Sequence, residues 1–120
     1  MTVRAIRGAT QVEVNDRDEI IAATAELVST VLDRNQLTGD ALISVIFTMT
    51  TDLDAEFPAY AARAMGITDV PFLCGVEIAV PGSMPRVIRL LAHVDTDWAR
   101  SDLHHVYLRG AAALRTDLPQ

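Results

Sequence analysis

The residues able to do chemistry concentrate between Val70 and Arg89, in VPFLCGVEIAVPGSMPRVIR. This stretch holds the lone cysteine, Cys74, a glutamate among apolar neighbours, Glu77, a Pro81-Gly82 break, and Arg89 inside an apolar run. Burying an unpaired carboxylate or guanidinium costs on the order of several kcal/mol, so such groups must satisfy one another or meet a polar ligand. Arginines also stand at expected strand ends and loop entrances, at Arg7, Arg63 and Arg115. A guanidinium fork binds a carboxylate bidentately and stays charged, so with Arg89 this set suits a small, rigid dicarboxylate. Arginines so scattered also serve as surface ion-pair partners, and spacing alone leaves both readings open.

Other chemistries fit less well. There is no G-x-S-x-G, and His104 and His105 point to opposite faces if they lie in a strand, so neither is tied to Cys74. One cysteine cannot supply a cysteine-histidine metal site. Asp52, Asp54 and Glu56 form an acidic patch before Pro58, without a histidine or a second cluster to complete a metal site, and no metal is expected. All ten basic residues are arginine. The absence of lysine removes Schiff-base chemistry, a phosphate-loop lysine and pyridoxal phosphate attachment, and no cofactor is expected.

Half of the 120 residues are apolar, which suits one core and one domain over residues 1–120. A net charge of −6 argues against nucleic acid or an anionic membrane as partner. Arg86, Arg89 and His93 interrupt the best apolar run, leaving nothing near the ~20 residues that span a bilayer. A single cysteine and a charged N-terminal stretch point to the cytoplasm.

The elements that must position these side chains follow from periodicity. Met1 to Val14 alternates as a strand, bent at Gly8 by a bulge or a close backbone approach. Asn15 to Arg34 reads as a helix with a capping-box start at Asp16 and Glu19 and an apolar stripe from Ile20 to Leu32. Thr24 falls in that stripe, where its hydroxyl can bond the carbonyl one turn back. Ala41 to Thr51 reads as a strand buried on both faces and ends in the hydroxyls of Thr48, Thr50 and Thr51. Pro58 opens a short helix that stops at Gly66.

Further strands are expected at Val70 to Leu73, before a break at Gly75, at Arg86 to Val94, and at His104 to Leu114. Alternation sets Val87, Arg89, Leu91 and His93 on one face of the second of these. The order β-α-β-α-β-β-β predicts an α+β fold, a mixed sheet with helices on one face.

IRGATQVEVNDRDEI, TTDLDAEFPAYAAR, the VPFLC…E…PRVIRLL segment and HVYLRGAAALRTDL together resemble the monofunctional chorismate mutases of the trimeric, non-helical type, in order over nearly the whole chain. The resemblance implies rearrangement of chorismate to prephenate in aromatic amino-acid biosynthesis, a pericyclic reaction with no covalent enzyme intermediate. It also implies a homotrimer whose subunits form a pseudo-α/β barrel, with active sites between subunits. By motif, Arg89 would be the cation beside the breaking ether bond, Arg7 and Tyr107 would hold the side-chain carboxylate, and Glu77 and Cys74 would contact the ring hydroxyl. Arg63 and Arg115 would lie at the mouth, with Phe57, Leu73 and Leu114 along the walls.

Three departures stand out. Tyr60 occupies a position where relatives often carry a basic residue, Leu73 replaces a small hydroxyl residue, and the Gly75-Val76 pair differs between Cys74 and Glu77. Two other readings share the expected fold: a non-catalytic trimeric small-molecule-binding module, and an imine hydrolase of the Rid type.

Overall fold

The computed structural model describes residues 2–114. Five strands form one sheet: β1 (Val3–Gln11), β2 (Leu42–Met49), β3 (Phe72–Val76), β4 (Val87–Asp95) and β5 (Val106–Tyr107). Their spatial order is β3-β2-β4-β1-β5. The central pairs β1/β4 and β2/β4 are antiparallel, while the outer pairs β2/β3 and β1/β5 are parallel. The sheet is therefore mixed, as the element order predicts.

Helices α1 (Arg17–Arg34) and α2 (Pro58–Ala64) cover one face. Leu27, Val28, Val31 and Leu32 of α1 and Ala59 and Ala62 of α2 enclose a core with Ile6, Val45, Phe47, Leu90, Ala92 and Val94 from the strands. Alternation fixes which strand residues those are, because neighbouring residues point to opposite faces. The other parity, Ala5, Arg7, Ser44, Ile46, Thr48, Arg89, Leu91 and His93, lies on the face without helices.

Several local expectations change once the chain is folded. The helix α1 starts at Arg17, with Asp16 as its cap accepting from the Glu19 backbone N–H at 3.1 Å. The reciprocal half of the box is absent, because the Glu19 carboxylate reaches back to the Glu13 N–H. Thr24 is fully buried, and its hydroxyl finds no partner among the described residues. The strand β2 is enclosed on the helix side only, at Val45 and Phe47, while Ile43 and Ile46 are exposed.

No bend occurs at Gly8, whose strand pairs without a shift from Val3 opposite Asp95 to Gln11 opposite Val87. Gly8 instead marks close approach. A Cβ there would lie 3.1 Å from Leu27 Cδ1, 3.2 Å from the Val106 carbonyl oxygen and 3.4 Å from Leu90 Cγ.

Two strand boundaries also move. Gly75 does not break β3, because Thr48 of β2 pairs with it in parallel register and carries the strand to Val76. The last strand shrinks from the expected His104 to Leu114 to Val106–Tyr107. Arg109 then takes a φ of +53° and the chain enters a 3-10 turn over Arg109–Ala113. That turn covers part of the open face, where Ala111, Met84 and Leu114 pack on Ala9, Val87 and Tyr107.

Asn35, at the end of α1, is buried and holds the segment leading to β5. Its amide donates to the Val31 carbonyl at 2.8 Å and the His104 carbonyl at 3.0 Å, and its oxygen accepts from the His104 N–H at 2.7 Å. The sequence suggests only a helix stop there.

Candidate active site

Strand register brings three of the expected site residues together on the open face. Arg7 of β1 lies opposite Leu91 of β4, which lies opposite Ile46 of β2; one row along, Arg89 lies between Ala9 and Thr48. Tyr107 pairs with Ala9 across the β1/β5 edge. Between them is a cleft of ≈ 300 Å³ lined by Arg7, Ile46, Thr48, Arg89, Leu91 and Tyr107. A space of roughly 300–1,000 Å³ suits a small-molecule ligand.

Glu77 joins this group from beyond the end of β3. Its backbone N–H donates to the Met49 carbonyl at 2.9 Å, which directs the chain past the end of β2. Its Oε1 contacts Arg89 Nε in an ion pair and accepts from Thr48 Oγ1 at 3.0 Å. The glutamate is mostly enclosed, with 16% of its side chain exposed, whereas Arg89 keeps 40%. The cation therefore faces the cleft while the anion lies behind it.

Arg7 is placed by its backbone as well. Its N–H donates to His105 Nδ1 at 3.0 Å, which requires that ring nitrogen to be unprotonated. Among the described residues, Arg7, Arg89 and Glu77 together carry a net positive charge at this cleft, within a chain of net −6.

The remaining expected residues lie elsewhere in this chain. Leu73 shares the open face, opposite Ile46, and is 65% exposed. Cys74 pairs with Phe47 and packs against the core on the helix side of the sheet. In this chain the Cys-x-x-Glu spacing therefore does not set the thiol beside the glutamate on one face. Phe57 caps α2 and is 65% exposed, and Arg63 is exposed on α2. Leu114 backs Tyr107 in the small cluster over β1. Arg115 lies outside the described residues.

Thr48, Ile46, Leu91 and His105 belong to the cleft or its support, and sequence reasoning did not single them out as site residues. The hydroxyl-rich end of β2 hinted at Thr48, but its role requires the β2/β4 register.

A second cavity, ≈ 590 Å³, lies past the other end of β1 and is lined by Gln11, Glu13, Glu19, Arg86 and Arg109 among others. Its charges are mixed and its arginines are engaged: Arg86 Nε with the Val12 carbonyl at 3.0 Å, Arg109 Nε with Glu26 at 3.3 Å. The acidic patch is likewise dispersed. Asp52 accepts from the Arg86 N–H, Asp54 from the Asn15 amide, and Glu56 pairs with Arg17. Among the described residues no group of three metal-ligating side chains comes together.

The fold and cleft thus define an α+β protein with two arginine side chains lining one small cleft on the open face of its sheet. The chain belongs to the type I chorismate mutase family, whose model matches residues 3–118. It is 49% identical to the chorismate mutase AroH of Thermus thermophilus over 117 residues, covering 97% of this chain and 96% of that one. It is 36% identical to the chorismate mutase AroH of Bacillus subtilis strain 168 over 119 residues, covering 98% and 94%. A solved chorismate mutase from Clostridium thermocellum superposes with a TM-score of 0.91 at 51% identity, covering 92% of this chain and 98% of that one.

Proposed function

We propose that this chain, through residues 1–120 as one domain, rearranges chorismate to prephenate at the cleft formed by β2, β4, β1 and β5. One observation carries the reading: Arg89 stands in the cleft beside Arg7 and Tyr107, its guanidinium held by Glu77. The reaction breaks an ether C–O bond while a C–C bond forms within the same molecule. Negative charge collects on the ether oxygen as the bond lengthens. A preset cation beside that oxygen stabilises the transition state more than the ground state, and no nucleophile is needed.

In this reading Arg89 faces the ether oxygen, and Arg7 with Tyr107 grips the side-chain carboxylate. Glu77 holds Arg89 and accepts from the ring hydroxyl. Gripping both ends of the substrate favours its folded, reactive conformer.

The residues absent from the cleft support a homotrimer. Phe57, Leu73, Val76, Ile78 and Val80 are large apolar side chains left exposed, and a surface of that kind suits burial against another copy. We assign Phe57, Leu73, Cys74 and Arg63 to the wall and mouth that one subunit offers to its neighbour's cleft, and Leu114 to the wall beside Tyr107. Among the described residues no helix is long and apolar enough to cross a membrane. The cytoplasm, where its substrate would be made, is the proposed location. Nothing in the cleft or the comparisons favours a silent binding module or an imine hydrolase.

The test is direct. Purified protein should consume chorismate and release prephenate in equal amounts, and light scattering should give three times the chain mass. Intact chorismate after prolonged incubation with folded protein overturns the activity. A monomer by light scattering overturns the shared site.

A further inference from the structure

Thr48 is the polar side chain in the cleft to which the chemistry above gives no part, and its geometry is specific. It sits on β2 directly opposite Arg89 on β4, and Oγ1 donates to the same Glu77 oxygen, Oε1, that Arg89 Nε contacts. Glu77 Oε1 is thereby held from two directions, by a side chain on each of two adjacent strands. No partner is recorded for Oε2 among the described residues. A glutamate side chain has three rotatable bonds, and a single end-on contact with an arginine leaves it several arrangements; a second donor on the same oxygen removes most of them.

We propose that Thr48 is a positioning residue for this reaction: by fixing Glu77 Oε1, it aims Oε2 at the ligand and holds Arg89 by Nε with the rest of its guanidinium toward the cleft. The inference rests on the chorismate reading of the same cleft. Its effect belongs in turnover more than in binding. A correctly aimed cation matters most when charge has developed, whereas Arg7 and Tyr107 grip the substrate before the bond breaks.

Thr48→Val keeps the shape and removes the hydroxyl, while Thr48→Ser keeps the hydroxyl. Hydrogen bonds to charged groups contribute enough that Thr48→Val should lower kcat about tenfold, with KM changed less than about threefold. Thr48→Ser should stay within about twofold of the parent. Because the hydroxyl acts through Glu77, adding Thr48→Val to Glu77→Gln should cost no more than about twofold further.

The proposal is overturned if Thr48→Val turns over at the parental rate, if Thr48→Ser loses as much as Thr48→Val, or if the two losses multiply in the double variant. Each of these outcomes presupposes an active parent. A parent that leaves chorismate intact would instead remove the reading on which the inference stands.

Discussion

Two arginine–glutamate pairs in this chain have nearly the same exposure and different ends. At the cleft, Arg89 and Glu77 leave 40% and 16% of their side chains exposed; on the helix side, Arg17 and Glu56 leave 49% and 18%. Glu56 is closed on itself. Its Oε2 accepts from Arg17 Nε and its Oε1 from the Phe57 N–H, both at 2.9 Å, and Arg17 also stacks its guanidinium over the Tyr60 ring at 4.9 Å. Glu77 has both recorded contacts on one oxygen. The same two residue types therefore make a latch in one place and a receptive site in the other, and what separates them is how many acceptor positions are already taken.

If that contrast is right, breaking each pair should have opposite consequences. Arg89→Ala should lower turnover by about a hundred- to a thousandfold, the usual cost of removing a donor aimed at developing charge, with the fold retained by circular dichroism. Near-parental turnover in the folded variant would take Arg89 out of its role. Tyr107→Phe should raise KM by about tenfold with a smaller effect on kcat, since it removes one polar group from the carboxylate grip. An unchanged KM in steady-state kinetics would detach Tyr107 from the ligand.

Arg17→Ala, by comparison, should leave kcat within about twofold and shift the midpoint of urea unfolding only slightly, because solvent screens an exposed pair. A large loss of activity would make the helix-side pair part of the chemistry after all. The smallest effect is one of pH. The Phe57 N–H, aided by Arg17 and Arg63 and opposed by burial, holds the Glu56 carboxyl below its ordinary value of 4.5. The unfolded chain then takes up a proton first as pH falls, so the stability from this group is complete above 4.5 and is lost as pH drops through the lower folded value. Glu56→Gln should accordingly be less stable than the parent at neutral pH, with the gap closing in acid. A gap that widens in acid would reverse the sign of this linkage.

Much of this arrangement was legible in the residues. Apolar periodicity located both helices and the main strands, and alternation along β4 set Arg89 on the face opposite Leu90 and Ala92. What escaped was decided by partners distant in sequence. Gly75 looked like a break because a lone glycine weakens a strand, yet parallel pairing with β2 overrides that preference. Cys74 looked like a companion of Glu77, but their shared neighbourhood ends at Val76, where the strand stops and the chain turns Glu77 toward Arg89.

The shortened last strand had a local sign in Gly110, a residue type that weakens a strand, which follows the positive φ of Arg109. The Asn35 clasp and the Thr48 hydrogen bond had no such sign, because neither exists until strands and helix are in register.

Gly8 leads to a last consequence. It lies next to Arg7 and contributes no functional group, yet α1, β4 and the backbone of β5 all converge on the space where its side chain would be. Even a single methyl there would press on the Val106 carbonyl and on Leu27, which would have to give by a few tenths of an ångström, so an inert atom position one residue from Arg7 sets how closely α1, β4 and β5 pack beneath the cleft.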